Sequence, residues 1–569
     1  MKKRPSFALN GFTVLKWLIY LFFFVFLLVP LFSILLVSFT GQPINIFGSL
    51  TNPKILSATL EKLSGFSVEA YASVFKEGGS YFNALINSLK LGTGVAVLVT
   101  LVVLPIAYAF ARTKMPFKAF FAALCTIPLV MPTFISSHAF VLMFGKTGWV
   151  THIYQYFGGQ GVLFDVQSML GIVLVQVFFF FPYALWPMVA AFKISDVTLE
   201  EASQNLGAKS WYTFCRVTFP LAIPGIVSSM LLIFTVSFSD FGTPIILAPK
   251  DLNLIVVESY REIAGFFNWA GSAVLTVIML LVAAFFFWLQ RLVIKGREYG
   301  TISGKPTKQK LNDNKGVVSV LTVYTFLIML IPTLAVGSVF LSSIATTWGH
   351  HALPDGYTLD HYKTIFGTSG KNIVNSMVLA GGTLVLSVVI STFVSYFVVR
   401  RGSGGLDFVS SIPLIVPGIA LGIALIQTFN TAPLHLTGTA LLLIIAYTIR
   451  RMPYMIRSTM SSMMAIRKDI EEAAVSLGAS SLVAAITVIG PLMIPGIAAG
   501  AILVFVTVIK ETSISILLAP TDWAPMSLAV FQNLLRGEYY TACAMAILII
   551  AIVIVLQSLA KKITKDQLY

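Results

Sequence analysis

The sequence predicts an all-α polytopic membrane protein with about twelve transmembrane helices in two homologous, parallel six-helix halves. Three observations predict it. Hydrophobic residues make up 57% of the 569 and charged residues only 11%, with a mean hydropathy of +0.88, whereas a soluble chain carries roughly 25% charge. Apolar runs long enough to cross a hydrocarbon layer of about 30 Å as helix recur along the whole length. The second part of the chain also repeats the first.

The apolar runs lie near 12–39, 83–111, 119–144, 169–192, 221–248 and 270–293, then near 317–342, 373–399, 407–429, 436–456, 493–518 and 540–560. Each is expected to be helical, because lipid offers a bare backbone no hydrogen-bond partners. A shift of 271 places Pro182-Tyr183 on Pro453-Tyr454, Gly207 on Gly478, Pro224-Gly225-Ile226 on Pro495-Gly496-Ile497, Asp240 on Glu511 and Leu247-Ala248-Pro249 on Leu518-Ala519-Pro520. Upstream the register slides, yet Asn87-Ser88 still answers Asn375-Ser376 and Pro128-Leu129 answers Pro413-Leu414. The expected organisation is a first half over 1–294, a polar cytoplasmic linker over 295–315 and a second half over 316–569. Most of the slip falls in the loop 145–168, which is longer than its counterpart near 430–437.

The formal charge of +15 does not point to nucleic acid. Lys2, Lys3, Arg4, Arg112, Lys114, Lys118, Lys193, Arg291, Lys295, Lys561 and Lys562 all fall on one side of the bilayer if the N-terminus is cytoplasmic. That is the positive-inside pattern. It predicts a multi-pass membrane protein with both termini cytoplasmic. The first run is too long and too poor in small residues for a cleaved signal, and is expected to be retained. Cys125, Cys215 and Cys543 are isolated, with neither disulfide nor metal spacing.

Between the fourth and fifth runs of each half stands one charged phrase written twice, "EEASQNLGAKS" from Glu200 and "EEAAVSLGASS" from Glu471. Thr198 with Glu201, and Asp469 with Glu472, have the spacing of a capping box that opens a short helix. Gly207 and Gly478 are placed to end it in the left-handed conformation. Ser210 and Ser481 would cap a second short helix that stops before Pro220 or Pro491. The predicted unit is a helix–glycine bend–helix on the cytoplasmic face, rigid enough for a partner to grip.

Glu201-Ala202-Ser203-x3-Gly207 and Glu472-Ala473-Ala474-x3-Gly478, each followed by Pro-x3-Pro-Gly-Ile, resemble the EAA loop of permease subunits of ABC importers. Ser203 in place of the second alanine is the one mild departure. The resemblance covers nearly the whole chain, twice, and a fused two-half permease is similar to those of the ferric-iron, 2-aminoethylphosphonate, sugar-phosphate and thiamine importers. It implies a type I importer fold with coupling loops at about 196–220 and 467–491, in which Glu200, Glu201, Ala202, Gly207, Glu471, Glu472, Ala473 and Gly478 meet the ATPase. It also implies two copies of a cytoplasmic ABC ATPase subunit, which bind the ATP and Mg, and an extracytoplasmic substrate-binding protein. No cofactor is expected in this chain. Its nearest imitation of a phosphate loop, "LGAKS" at 206–210, lacks the upstream glycine and the preceding strand.

Charges inside apolar runs usually face a cavity or mark function. Asp240 and Glu511, with Lys510 beside the latter, share a register position near the fifth crossing and would suit a cationic solute; the alternative is solvation at a helix end. Arg450 and Arg451 lie opposite Phe179 and Phe180 by the repeat, with Arg457 opposite Trp186. They would hold phosphate or phosphonate oxygens in bidentate fashion, or else snorkel to headgroups from a shorter helix. His350, His351 and His361 share one loop without cysteines or ordered carboxylates, and no metal site is expected. An ion-coupled secondary carrier also has about twelve crossings in two halves. It would show a charged, glycine-containing turn between its second and third helices, and "RTKMPFK" at 112–118 has no glycine.

Overall fold

The protein is described by a computed structural model covering residues 11–76, 78–194, 197–295, 311–348, 351 and 353–564. Most of the expected linker, 296–310, lies outside these residues, as do His350 and the basic N-terminal residues. Among the described residues every long element is helical. Eight helices are long and apolar enough to cross a membrane, or eleven if each of three bent pairs is one crossing.

In the first half these are Gly11–Thr40, Ser80–Arg112, the pair Lys118–Val130 with Thr133–Tyr156, Met169–Lys193, Ser210–Phe238 and Trp269–Val293. In the second they are Lys315–Ser343, Gly370–Val399, the pair Gly404–Leu414 with Gly418–Phe429, the pair Ser481–Leu492 with Ile494–Ile509, and Tyr539–Ser558. The helix Ala440–Ala465 completes the second half. Three arginines lower its apolarity, but it packs on the second and fifth spans of its half, as Met169–Lys193 does in the first.

The third span breaks in both halves, by 104° and by 107°. Pro132 and Pro417 stand immediately before the second segments. A proline there cannot donate to the turn behind it, so the helix restarts in a new direction. The first span of each half leans on the other half. Val29–Thr40 lies along Gly418–Phe429, and Lys315–Ser343 lies along Lys118–Val130 and Thr133–Phe144. Phe26 stacks on Phe429 at 5.4 Å and Phe12 on Tyr396 at 5.0 Å.

The repeated Pro-Gly-Ile marks where the fourth and fifth spans cross. A Cβ on Gly225 would overlap Ala191, and a Cβ on Gly496 would overlap Ser462, at equivalent positions. The Ser458 hydroxyl donates to the Gly496 carbonyl at 2.8 Å. Glycine is required there because the backbones touch. Pro220, however, does not stop its helix as expected. A π-turn over Phe214–Thr218 precedes it, and the Phe219 N–H bonds the Phe214 carbonyl. This wider turn shifts the ladder so that the proline falls in the first turn of the next segment, where its missing N–H is tolerated. Pro491 is likewise preceded by a π-turn, Ala485–Ile489, with the break following at Met493.

Replacing Gly225 and Gly496 with valine is expected to push these spans apart, each costing about 1–3 kcal/mol of overpacking. The check is a lower thermal unfolding midpoint of the detergent-purified chain.

Candidate functional site

Two sites emerge, one at the end of the bundle and one within it. At the end, Val197–Asn205 and Ser210–Thr213 form one hairpin, and Lys468–Ser476 and Ser481–Ala484 form the other. The bends are at Gly207, φ +89°, and Gly478, φ +96°. Each closes with a pair of backbone bonds, Gly207 to Gln204 and Ala208 to Ser203, then Gly478 to Val475 and Ala479 to Ala474. A side chain at either glycine would be strained in the left-handed region.

The expected caps are displaced. The first helix already includes Thr198, and the second begins after Arg467, which makes no side-chain cap bond. Asp469 therefore lies inside the first turn, paired with Arg467. The next short helix is capped by Ser480 and not Ser481, its hydroxyl accepting from Val483 N–H at 3.3 Å, while its counterpart follows Lys209, which makes no side-chain cap bond. The acids still favour the positive helix start.

The two glutamates of each phrase divide their tasks. Glu200 turns inward to Arg112, the last residue of the second span, at 3.2 Å, and the Thr218 hydroxyl donates to it at 2.8 Å. Glu471 faces Arg400, directly after the second span of its half, at 3.6 Å, and accepts from the Tyr396 hydroxyl at 2.6 Å. Arg112 is 4% exposed and Arg400 5%, so these are shielded pairs at the roots of the hairpins. Glu201, Ala202, Glu472 and Ala473 face outward. Ser203 ties the two arms of its hairpin through a 3.0 Å contact with Thr213.

Sequence reasoning missed two features here. Arg112 and Arg400 are anchors as well as cytoplasmic charges, and the signal was Tyr108-x3-Arg112 answered by Tyr396-x3-Arg400. Leu206 and Leu477, one residue before each glycine, are 89% and 90% exposed. Leu199 and Ile470 are exposed at equivalent positions. Covering each leucine would contribute about 2 kcal/mol.

The second site lies within the helical bundle. Ala440–Ala465 runs on past Arg450 and Arg451, which turn inward to Glu511, itself 3% exposed. Arg450 Nε lies 3.4 Å from the carboxylate and Arg451 is bonded to it. Arg450 also donates to the Val416 carbonyl at 2.6 Å, and Lys510 donates to the Leu129 carbonyl of the other half. Both acceptors lie beside the breaks of the third spans, where helix carbonyls lose their partners. Arg457 stands apart, pairing with Asp407 at 3.0 Å. Asp240 does not share these cations. Gln176 donates to it at 3.0 Å and the Gly242 and Thr243 N–H groups at 3.2 Å each.

A family model described as the binding-protein-dependent transport system inner membrane component matches residues 101–299 and 387–567, one stretch in each half. The chain belongs to that family. It is an inner-membrane permease component of an ABC transporter and not its ATPase, which is a separate subunit. The chain is 28% identical to the ferric transport system permease protein FbpB of Actinobacillus pleuropneumoniae over 491 residues, covering 83% of this chain and 70% of that protein. It is 28% identical over 449 residues to a putative ferric transport system permease protein, FbpB 1, of Haemophilus influenzae, covering 77% of this chain and 70% of that protein. A second Haemophilus influenzae protein, Fe(3+)-transport system permease protein FbpB 2, is 24% identical over 460 residues, covering 78% and 82%.

Glu511→Gln is expected to destabilise the permease by about 3–5 kcal/mol, because it leaves two shielded guanidinium groups without an anion. Adding Arg451→Met should recover part of the loss. Thermal unfolding of the three proteins in detergent measures both effects.

Proposed function

We propose that this permease carries ferric iron inward, worked by two copies of a cytoplasmic ATPase at the two hairpins and loaded by an extracytoplasmic binding protein. The doubled hairpin carries the mechanical part of the reading. Two equivalent tips, each with an exposed leucine before a left-handed glycine, suit two like partners. Each tip is joined through a shielded ion pair to a membrane-spanning helix. ATP-driven closure of the ATPases would draw the hairpins together and rock the halves from inward-open to outward-open. Glu201, Ala202, Glu472 and Ala473 lie on the gripped face, and Glu200 and Glu471 hold it to the bundle. The cargo is supported by the three ferric-transport relatives, which align over most of the chain.

A second reading, a phosphonate or phosphorylated small molecule, is favoured by the interior charges. Arg450 and Arg451 face Glu511, Lys510 turns to the Leu129 carbonyl, and with Asp240 counted the three cations still outnumber the two acids by one. Cations inside a low-dielectric bundle attract oxyanions and repel a bare metal cation.

Vesicles holding the permease, its ATPase and its binding protein decide between them. ATP-dependent uptake of labelled ferric iron without 2-aminoethylphosphonate uptake is expected. The reverse selectivity, abolished by Arg450→Gln with Arg451→Gln, would establish the second reading. Gly207→Val with Gly478→Val should leave ATP hydrolysis running while uptake falls, and undiminished uptake would count against the hairpins as couplers. Leu206→Asp with Leu477→Asp should release the ATPase on size-exclusion chromatography.

A further inference from the structure

The repeated Asn-Ser dipeptides, Asn87-Ser88 and Asn375-Ser376, sit near the start of each second span, at the end opposite the hairpins. Each seizes the start of the ten-residue helix that lies between the fifth and sixth spans of its half. The Ser88 hydroxyl accepts the Ile255 N–H at 2.9 Å, and Asn87 donates to the Asn253 carbonyl at 3.2 Å. The Ser376 hydroxyl accepts the Met526 N–H at 2.7 Å, and Asn375 donates to the Ala524 carbonyl, the counterpart of Asn253, at 3.2 Å. Both serines are buried, at 4% and 3% exposure, so water does not replace these bonds.

The captured helices, Ile255–Ala264 and Met526–Leu535, close the seam between the halves. The first touches Gly418–Phe429 of the second half, and Phe531 of the second meets Phe134 of the first half at 6.0 Å. The other end of each second span holds a hairpin through Arg112 or Arg400. Ser88 and Arg112 are 24 residues apart, as are Ser376 and Arg400, which is about 36 Å of helix. Both second spans run as unbroken α-helix, the first continuing through Pro105 and the second without a proline, whereas the third span of each half breaks and the fifth carries a π-turn.

We infer that each second span is a rigid tie that carries hairpin displacement across the membrane to the seam, with Ser88 and Ser376 as its transmitting residues. A stiff element gripped at both ends moves both ends together; a span with a bend in it would absorb the motion. The duplication of all four grips in matching register is the feature that a merely local cap does not require. Ser88 and Ser376 are positioning residues and touch no solute in this reading.

The inference rests on the hairpins being the ATPase docking sites, and the experiment separates the two. Spin labels are placed at Phe266→Cys, just past the end of the first captured helix, and at Leu535→Cys, the exposed last residue of the second, on a Cys215→Ser background. They report the seam distance in the permease–ATPase complex with and without ATP and Mg. The unmodified tie should shift that distance on nucleotide binding. Ser88→Ala with Ser376→Ala should keep the ATPase bound, lose the shift and lower uptake per ATP hydrolysed by about tenfold, within the usual range of coupling between sites. A preserved shift with unchanged uptake per ATP overturns the inference. If the alanine variant fails to assemble, Glu200→Gln with Glu471→Gln cuts the tie at its other end, and a preserved shift there overturns it equally. An ATPase that binds regardless of Leu206→Asp and Leu477→Asp defeats the docking reading instead.

Discussion

Hydrocarbon supplies no hydrogen-bond partners, so wherever a helix breaks inside this bundle the chain itself must satisfy the freed groups. Both third spans break, and both breaks are served from the second half. Arg450 takes the Val416 carbonyl and Lys510 takes the Leu129 carbonyl across the interface. Bringing those cations in creates a further demand, since a shielded charge needs a partner. Glu511 meets it for Arg450 and Arg451. Two bent helices thus draw in two cations, and one of them, Arg450, shares the acid Glu511 with Arg451. The first half, with Phe179, Phe180 and Ser239 at the matching positions, contributes none of these charges.

The same logic governs the hairpins, in a wetter setting. A pair of short helices projecting from a bundle holds a fixed angle only if something fixes its root. The first glutamate of each phrase turns inward for this purpose, and the second remains free for a partner. Because Arg112 and Arg400 end the second spans, the hairpins are tied to helices distant in sequence and not only to the fourth and fifth spans that flank them. A force applied to a hairpin would therefore enter the bundle at two points per half.

Much of this was legible in the sequence. Apolar runs located the spans because lipid imposes one simple rule on them, and the repeat gave the two halves because equal ends were kept in register. The left-handed glycines were legible because little else tolerates φ near +90°. The caps were misread by a residue or more, since Thr198, Asp469 and their neighbours offer several acceptable starts and tertiary contacts choose among them. Pro220 was misread as a stop because a π-turn that shifts the ladder leaves no clear mark in local composition. The arginine anchors were hidden by their second use, since a basic residue ending a span already satisfies the positive-inside rule. The inward turn of Arg450 and Arg451 depended on Glu511, sixty residues away, and no helical periodicity reports on that.

Divergence between the halves is confined in a way that carries its own argument. At the hairpin end the halves keep matching glutamates, glycines and leucines, and at the seam they keep matching asparagines and serines. A motor of two like subunits needs two like handles, and a seam opened from both sides needs two like ties. Between these ends, at the broken spans, symmetry fails: aromatic rings stand in one half where guanidinium groups stand in the other. A small solute crossing the middle has no twofold axis of its own, so nothing holds the two linings alike. On the proposed reading the chain is symmetric where force would be applied and asymmetric where cargo would have to be recognised, and fusing two halves into one polypeptide is what lets the linings differ.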